Sequence, residues 1–282
     1  MSFKILFFFV LISSSAFANY SISKLRDNIY RFQNKAHFSI FIVGEKNVFL
    51  TDPLGSDAAK WLRKEISNKF GKKNIQYVFY SHNHWDHIAG GEEFQDENTT
   101  YISHFKARDE MVRQDAPTKI PNLTFKEQMT IYFEGLEIQF LYFGRNNGRG
   151  NSAMFIPSKK FLFAVDWVLL KRLPWVEMYY YDIDGSIDSL NEVLKLDFNL
   201  VSPGHSVIGS KNDLIEYKGY LTGLREKVLK GMRSGKSLKD LQENITMPAY
   251  KDYAKYNEWL KANIKGVFDQ MERASGRYGQ EK

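Results

Sequence analysis

Residues 81–87 read SHNHWDH, which places His82, His84 and His87 together with Asp86 inside seven positions. Imidazole and carboxylate at this density are good ligands for zinc and related divalent ions. Crowding so many titratable groups is costly unless a cation holds them. The chain has six histidines in all. His205 stands in SPGHS directly after a predicted strand, and Asp166 ends the apolar run FLFAVD. The chain has no cysteine, so a metal site here uses His, Asp, Glu or Asn and never thiolate. Five or more ligands are too many for one tetrahedral zinc, which suggests two ions.

The elements that must position these groups follow from periodicity. NIYRF, FSIFIV and NVFLTD are short apolar or alternating runs separated by turn residues, and they read as strands. Asp57 to Phe70 reads as a helix capped by Asp57, with Ala58, Leu62, Ile66 and Phe70 on one stripe. IQYVFYSH reads as a buried strand ending at His82, so that His82 and His84 share a face. TTYISH is a further strand and Phe105 to Arg113 a helix, with His104 as the cap between them.

LTF, MTIYF and LEIQFLYF form a second run of strands with a hairpin turn at Glu134-Gly135, and SAMFIP and KFLFAVD pair across Ser158 to Lys160. Ile187 to Lys195 is helical, FNLVSPGH is strand into loop, and the chain from Asp213 onward is mainly helical. Two half-sheets with helices outside would bury this pattern.

HNHWDH matches the HxHxDH signature of the metallo-β-lactamase superfamily, and the chain resembles that family further. NVFLTDP resembles its early strand, here ending in Asp52, FLFAVD its strand carrying a bridging aspartate, and SPGH its last ligand loop. The resemblance covers residues 25 to 210. It implies an α/β fold, a four-layer αββα sandwich. It implies that His82 and His84 bind a first metal, that Asp86, His87 and His205 bind a second, and that Asp166 bridges the two. Aspartate rather than thiolate at that place looks like glyoxalase II and lactonases more than like β-lactamases.

The implied chemistry is zinc-dependent hydrolysis, with iron or manganese also compatible with the ligand types. Metal lowers the pKa of bound water, and the resulting hydroxide attacks the carbonyl of an ester, thioester, lactone or lactam. Asp86 would hold the water or the second ion, and Asp166 would tie the ions together.

One loop departs from the family. Where the family carries G-x-x-H-T-x-G-N/D-S, residues 144–152 read GRNNGRGNS, so that Asn147 occupies the position of a third histidine for the first metal. An amide offers only its carbonyl oxygen, a harder and weaker donor to zinc than imidazole. Three arrangements are open: Asn147 ligates through oxygen, the first site stays empty, or His37 or His104 reaches in. Read without the family, Asn147 is a turn residue and His37 belongs to a surface or loop.

Trp85 and Trp167 flank predicted ligands and either line the pocket or pack in the core. Arg145 and Arg149 are either solvated loop charges or anchors for an anionic substrate group. The aromatic stretch from Leu173 to Asp184 is either a cover over the core or a substrate lid. A metal-binding pseudoenzyme with a degenerate first site is the competing function, and Asn147 is the feature that favours it. A nuclease of the same superfamily is disfavoured by the near-neutral core and the lack of an inserted second domain. A redox role with iron lacks an accompanying flavin-binding domain.

The N-terminus opens MSFKILFFFVLISSSAFANY, with Lys4, an apolar run from Ile5 to Ile12, and Ala16 and Ala18 in cleavage spacing. This reads as a secretory signal peptide over residues 1–18, too short to span a bilayer. The expectation is a periplasmic or secreted protein with no stable membrane insertion, acting on a small molecule and not on nucleic acid. Residues 19–210 read as the core domain and 211–282 as a helical C-terminal extension packed on it. The tail carries most of the net charge of +6, as lysine-rich solvated helix faces do. Its apolar stripe at Tyr253, Tyr256, Trp259 or Leu260, Ile264, Val267 and Met271 is suited to packing on the core or to a dimer contact, and the oligomeric state stays open.

Overall fold

Apolar residues alternate along the early strands, and alternation splits their side chains between two faces. In the computed structural model, which describes residues 20–275, the chain opens with β1 (Tyr20–Arg26), β2 (Ile29–Asn34), β3 (His37–Val43) and β4 (Asn47–Thr51), paired antiparallel in sequence order. The predicted signal peptide lies outside the described residues. Helix α1 (Ser56–Phe70) then crosses over to the parallel strand β5 (Asn74–Phe79). The one-turn α2 (Trp85–Ile88) precedes β6 (Thr100–His104), and α3 (Phe105–Arg113) leads to β7 (Leu123–Phe125), both strands again parallel. These seven strands form one sheet in chain order.

A second sheet is built from β8 (Gln128–Phe133), β9 (Leu136–Leu141), β10 (Ala153–Ile156) and β11 (Phe161–Ala164), all antiparallel. After α4 (Ile183–Val193), β12 (Leu200–Ser202) adds parallel to β11. Three helices close the described chain: α5 (Lys211–Arg233), α6 (Leu238–Asn244) and α7 (Tyr256–Ala274).

The two sheets face each other across one apolar layer. Ile40, Ile42, Phe49 and Phe79 from the first sheet meet Ile138, Phe140, Met154 and Phe163 from the second, all fully buried. The alternate residues Phe41, Val48 and Leu50 point outward, onto Ala58 and Leu62 of α1 and Met111 of α3. Phe155, Leu162 and Ala164 point outward from the second sheet, onto Leu190 of α4, Leu221 of α5 and Ile264 of α7. Helix, sheet, sheet and helix therefore stack in four layers, the α/β sandwich expected from the sequence, with the C-terminal helices on the second sheet. Among the described residues no helix is long and apolar enough to cross a membrane.

Several boundaries shift from expectation. Helix α1 is capped by Gly55, with Asp57 in its first turn, and α4 starts at Ile183 because Asp182 caps it by accepting from Gly185 N at 2.9 Å. Strand β5 stops at Phe79, so His82 and His84 stand on an irregular loop and not on a strand face. His104 does cap α3, accepting from Lys106 N. The Glu134-Gly135 turn has both residues at positive φ, 46° and 84°, as a two-residue hairpin with matched twist requires.

The stretch from Leu173 to Asp184 is tied down from the far side. Asn263 of α7, fully buried, donates to Pro174 O at 2.9 Å and Val176 O at 2.7 Å and accepts from Tyr220 of α5 at 2.8 Å. Replacing Asn263 with Ala orphans two buried carbonyls and should cost roughly 2–4 kcal/mol. Urea unfolding should show that loss, and limited proteolysis should show new cleavage between residues 173 and 184. An unchanged midpoint would mean that other contacts hold the stretch.

Candidate metal centre

Four chain segments converge at one end of the sandwich. The loop after β5 brings His82, His84, Asp86 and His87, the end of β11 brings Asp166, the loop after β12 brings His205, and the start of β3 brings His37. Asp166 sits at the middle, in a left-handed conformation with φ 69° that aspartate tolerates better than most residues. Its side chain is 9% exposed.

Its two oxygens face different partners. Oδ2 lies 3.0 Å from His82 Nε2 and 2.9 Å from His84 Nδ1. Oδ1 lies 3.3 Å from His87 Nε2 and 3.0 Å from His205 Nε2. Asp86 Oδ2 closes the second group, 3.7 Å from His87 Nε2 and 3.5 Å from His205 Nε2, and those two nitrogens are 2.9 Å apart. A tetrahedral zinc with bonds near 2.1 Å has ligand-to-ligand edges of roughly 3.4 Å. Five of the six distances among the four atoms of the second group run from 2.9 to 3.7 Å, around that spacing.

Alignment separates this arrangement from an ordinary ion pair. His82 Nε2, on the Oδ2 side, and Asp166 Oδ1, on the side of His87 and His205, are buried and close to opposite charge, yet neither has the alignment of a hydrogen bond. The amide oxygen of Asn147 is likewise buried without a hydrogen-bond partner among the described residues, and Asn147 lines the same cavity. These donors fit divalent cations by type, spacing and unsatisfied valence.

The electrostatics agree. Burial alone would push the Asp166 carboxyl up, but His82, His205 and His87 hold it well below the ordinary carboxylate range. Burial opposes charge on His87, yet Asp166, Asp52 and Asp86 raise it well above an ordinary imidazole. Burial lowers His82. Asp86 is also held low, since His37 and His87 outweigh its burial.

A further set of contacts orients the ligand candidates. Asp52, fully buried at the end of β4, accepts from Ser81 N at 2.8 Å and Ser81 Oγ at 2.7 Å. Ser81 Oγ meets His82 Nδ1 at 2.8 Å, and Asp52 Oδ2 lies 3.4 Å from His87 Nδ1. His82 thus has its far nitrogen hydrogen-bonded, whereas His87 Nδ1 lies beside Asp52 without the alignment of a hydrogen bond. His205 is set as His82 is, with Nδ1 3.2 Å from Ala36 O. The departing loop is held beneath by Ser152 N to Ser81 O at 2.9 Å. Gly150, at φ 81°, has no room for a side chain, since a Cβ would come within 2.5 Å of Ala107 N.

The residues expected from the sequence to hold metal do come together at this end, and two of their neighbours were not expected there. His37, expected on the surface or a loop, presents Nε2 3.2 Å from Asp86 Oδ2, on the side of His205 and not of Asn147. The spacing of residues along the chain holds no signal for that approach, which depends on the hydrogen bond from Phe38 N to Gly204 O. Asp52 is readable only as a strand-end acid of the same kind as Asp166.

Of the predicted substrate contacts, Trp85 lines the cavity and is half exposed. Trp167 does not: it is fully buried against Phe143 in the layer outside the second sheet. Arg145 points to solvent, 3.7 Å from Asp182, and is absent from the cavity wall, because Gly144 and Asn146 turn the loop there. Arg149 does line the wall, paired with Glu110 at 2.9 Å.

The cavity over the centre holds about 900 Å³. Trp175, Tyr179 and Tyr180 stand at its mouth, each more than half exposed, with Tyr180 over His84 at 4.7 Å between ring centres.

Residues 34–205 match the family model of the metallo-beta-lactamase superfamily. The alpha subunit of a 2,4-dinitroanisole O-demethylase from Nocardioides sp. is 23% identical over 191 residues, covering 64% of this chain and 56% of that relative. The chain therefore spans little more than half the length of that protein. A metallo-beta-lactamase from Pontibacter korlensis superposes with a TM-score of 0.64 at 15% identity, over 72% of this chain and 99% of that one. A stereoselective inverting sec-alkylsulfatase from Pseudomonas sp. superposes with a TM-score of 0.75 at 16% identity, over 92% of this chain and 51% of that one. The last coverage has to include most of the C-terminal helices, so the likeness in fold extends past the sandwich.

Asp52→Ala should weaken zinc binding about 10- to 100-fold by releasing His82 and His87 from their fixed orientations. Competition with a chromophoric chelator measures this. Unchanged affinity would show that Asp52 serves only to anchor the loop.

Proposed function

This chain belongs to the metallo-beta-lactamase superfamily, and from that premise we propose that it is an exported metal-dependent hydrolase that cleaves an ester, thioester, lactone or lactam bond in a small molecule. The observation that carries this reading is the division of the Asp166 carboxylate, with one oxygen facing His82 and His84 and the other facing His87 and His205. His82, His84, Asp166 and Asn147 would hold one ion. Asp86, His87, His205 and Asp166 would hold the other, with His37 beside Asp86. Zinc suits nitrogen and carboxylate ligands at this spacing, and iron and manganese suit the same types. A bound divalent ion supplies Lewis acidity, polarising a substrate oxygen and making water nucleophilic near neutral pH.

The chain's own groups set the rest. Asp166 keeps the two ligand sets together. Asp86 uses Oδ2 in the second set, and because Asp86 lines the cavity its other oxygen, without a hydrogen bond among the described residues, would be the one to accept the proton of an approaching water. Asn147 provides an oxygen where the family resemblance expects imidazole, which makes the first ion the weaker one. Burial of His82 and His87 excludes bulk water from the inner side of the centre. The alkylsulfatase and the O-demethylase subunit add sulfate esters and aryl ethers to the bonds worth screening. A second reading, a protein that holds metal and ligand without turnover, is favoured by Asn147 alone.

A panel of these substrates with zinc-loaded protein tests the reading. At least one should be hydrolysed, chelation should abolish it, and Asp166→Ala should reduce turnover by about 100-fold or more. A fully active Asp166→Ala variant would sink the mechanism, and no turnover across the panel would favour the second reading. Asn147→His should raise affinity for the weaker ion by about tenfold or more, read by stepwise metal titration. An unaltered titration would place Asn147 outside the metal shell.

A further inference from the structure

Arginines near the centre fall into two kinds. Arg145 and Arg149 are each matched by a carboxylate, Asp182 and Glu110. Arg31 is buried without one, but it donates to Pro203 O and Ser206 O and lies flat on Phe38, a purely internal fit. Arg172 differs from all three. It lines the cavity, and among the described residues no carboxylate oxygen lies within 4.0 Å of its guanidinium. A half-buried cation with no carboxylate in direct contact is costly, and Asp166 acts on it only through space, beyond 4.0 Å.

The side chain is nevertheless held in one place. Nη1 donates to His205 O at 2.7 Å, which sets the guanidinium beside a predicted ligand of the second ion. Its carbon lies 5.1 Å from the ring centre of Trp259 on α7, in cation–π range. Its backbone is fixed by a bridge to Ala254, with Ala254 N to Lys171 O at 2.9 Å and Leu173 N to Ala254 O at 3.1 Å. One donor direction is used, and the fork has further N–H groups to offer. The same cavity is lined by Trp85, Trp175, Tyr179 and Tyr180, about half exposed, a larger aromatic surface than solubility favours.

We propose that Arg172 is the anion-binding subsite of this cavity, and that its ligand has one oxyanion, a carboxylate or sulfonate that does not react, on a flat aromatic or long apolar body lying along Trp85, Trp175, Tyr179 and Tyr180. The guanidinium meets the oxyanion by charge-assisted hydrogen bonds, in the geometry where arginine surpasses lysine. Trp259 is a positioning residue, so the C-terminal helices contribute to selectivity without touching the ligand. That the ligand is a substrate rests on the hydrolase reading, whereas its binding does not.

The test pairs two probes with the same rings. 8-Anilinonaphthalene-1-sulfonate carries an anion and N-phenyl-1-naphthylamine does not, and each is titrated by fluorescence against the full zinc-loaded protein. The sulfonate should bind about tenfold tighter or more. Arg172→Gln should remove that advantage and leave the neutral amine unchanged, and Arg172→Lys should remove part of it. Trp259→Ala should reduce the advantage without abolishing it, Trp175→Ala should weaken both probes alike, and Arg149→Gln should change neither. Equal affinities in the unaltered protein, or a sulfonate preference that survives Arg172→Gln, would overturn the proposal. Charge-selective binding with no hydrolysis across the whole substrate panel would leave the subsite standing and remove the hydrolase reading.

Discussion

One carboxylate shared among four imidazoles sets the terms for the rest of this molecule. Asp166 is nearly buried, in a left-handed backbone conformation, with each oxygen about 3 Å from two histidine nitrogens. Such a cluster is stable only with compensating charge at its centre and partners behind it. The surroundings meet both needs. Ser81 holds the far side of His82, Asp52 lies beside that of His87, and Ala36 O meets that of His205. The near sides would be free for cations under the proposed function.

The fold can be understood as the means of bringing these pieces to one end. Each sheet ends its strands there: β4 at Asp52, β5 before His82, β11 before Asp166 and β12 before His205. Ligands emerge from both sheets, so the inter-sheet layer of Phe49, Phe79, Phe140 and Phe163 holds the two halves of the centre in register. The outer helices act at a further remove. Asn263 and Trp259 of α7 reach the loop and the arginine that border the cavity, which gives the C-terminal helices a part in shaping the site as well as covering a sheet.

Much of this was legible in the sequence because the chemistry is concentrated. Three histidines and an aspartate in seven residues, a strand-end Asp166 and a strand-end His205 are local signals, and alternation along FSIFIV and NVFLTD announces a sheet with two covered faces. What escaped depends on long-range packing. His37 lies against Asp86 because β3 is pinned to the loop at Gly204, a contact between residues far apart in the chain. Trp167, next to a predicted ligand, turns inward because the residue after a left-handed Asp166 is directed to the core. Arg145 was a candidate anchor by its neighbourhood in sequence, whereas Arg149 and Arg172 line the cavity, and Arg172 has no motif around it. Spacing along the chain identifies donors, but which way a loop turns is set by what packs beneath it.

The central claim is that the two faces of Asp166 each serve a metal ion. Metal content of the purified protein, measured for zinc, iron and manganese after zinc loading and removal of free ions, tests it most directly. The account predicts two ions per chain, with one released at lower chelator concentration than the other, since one set relies on the amide of Asn147. A protein that retains only one ion, or none, under these conditions would contradict it.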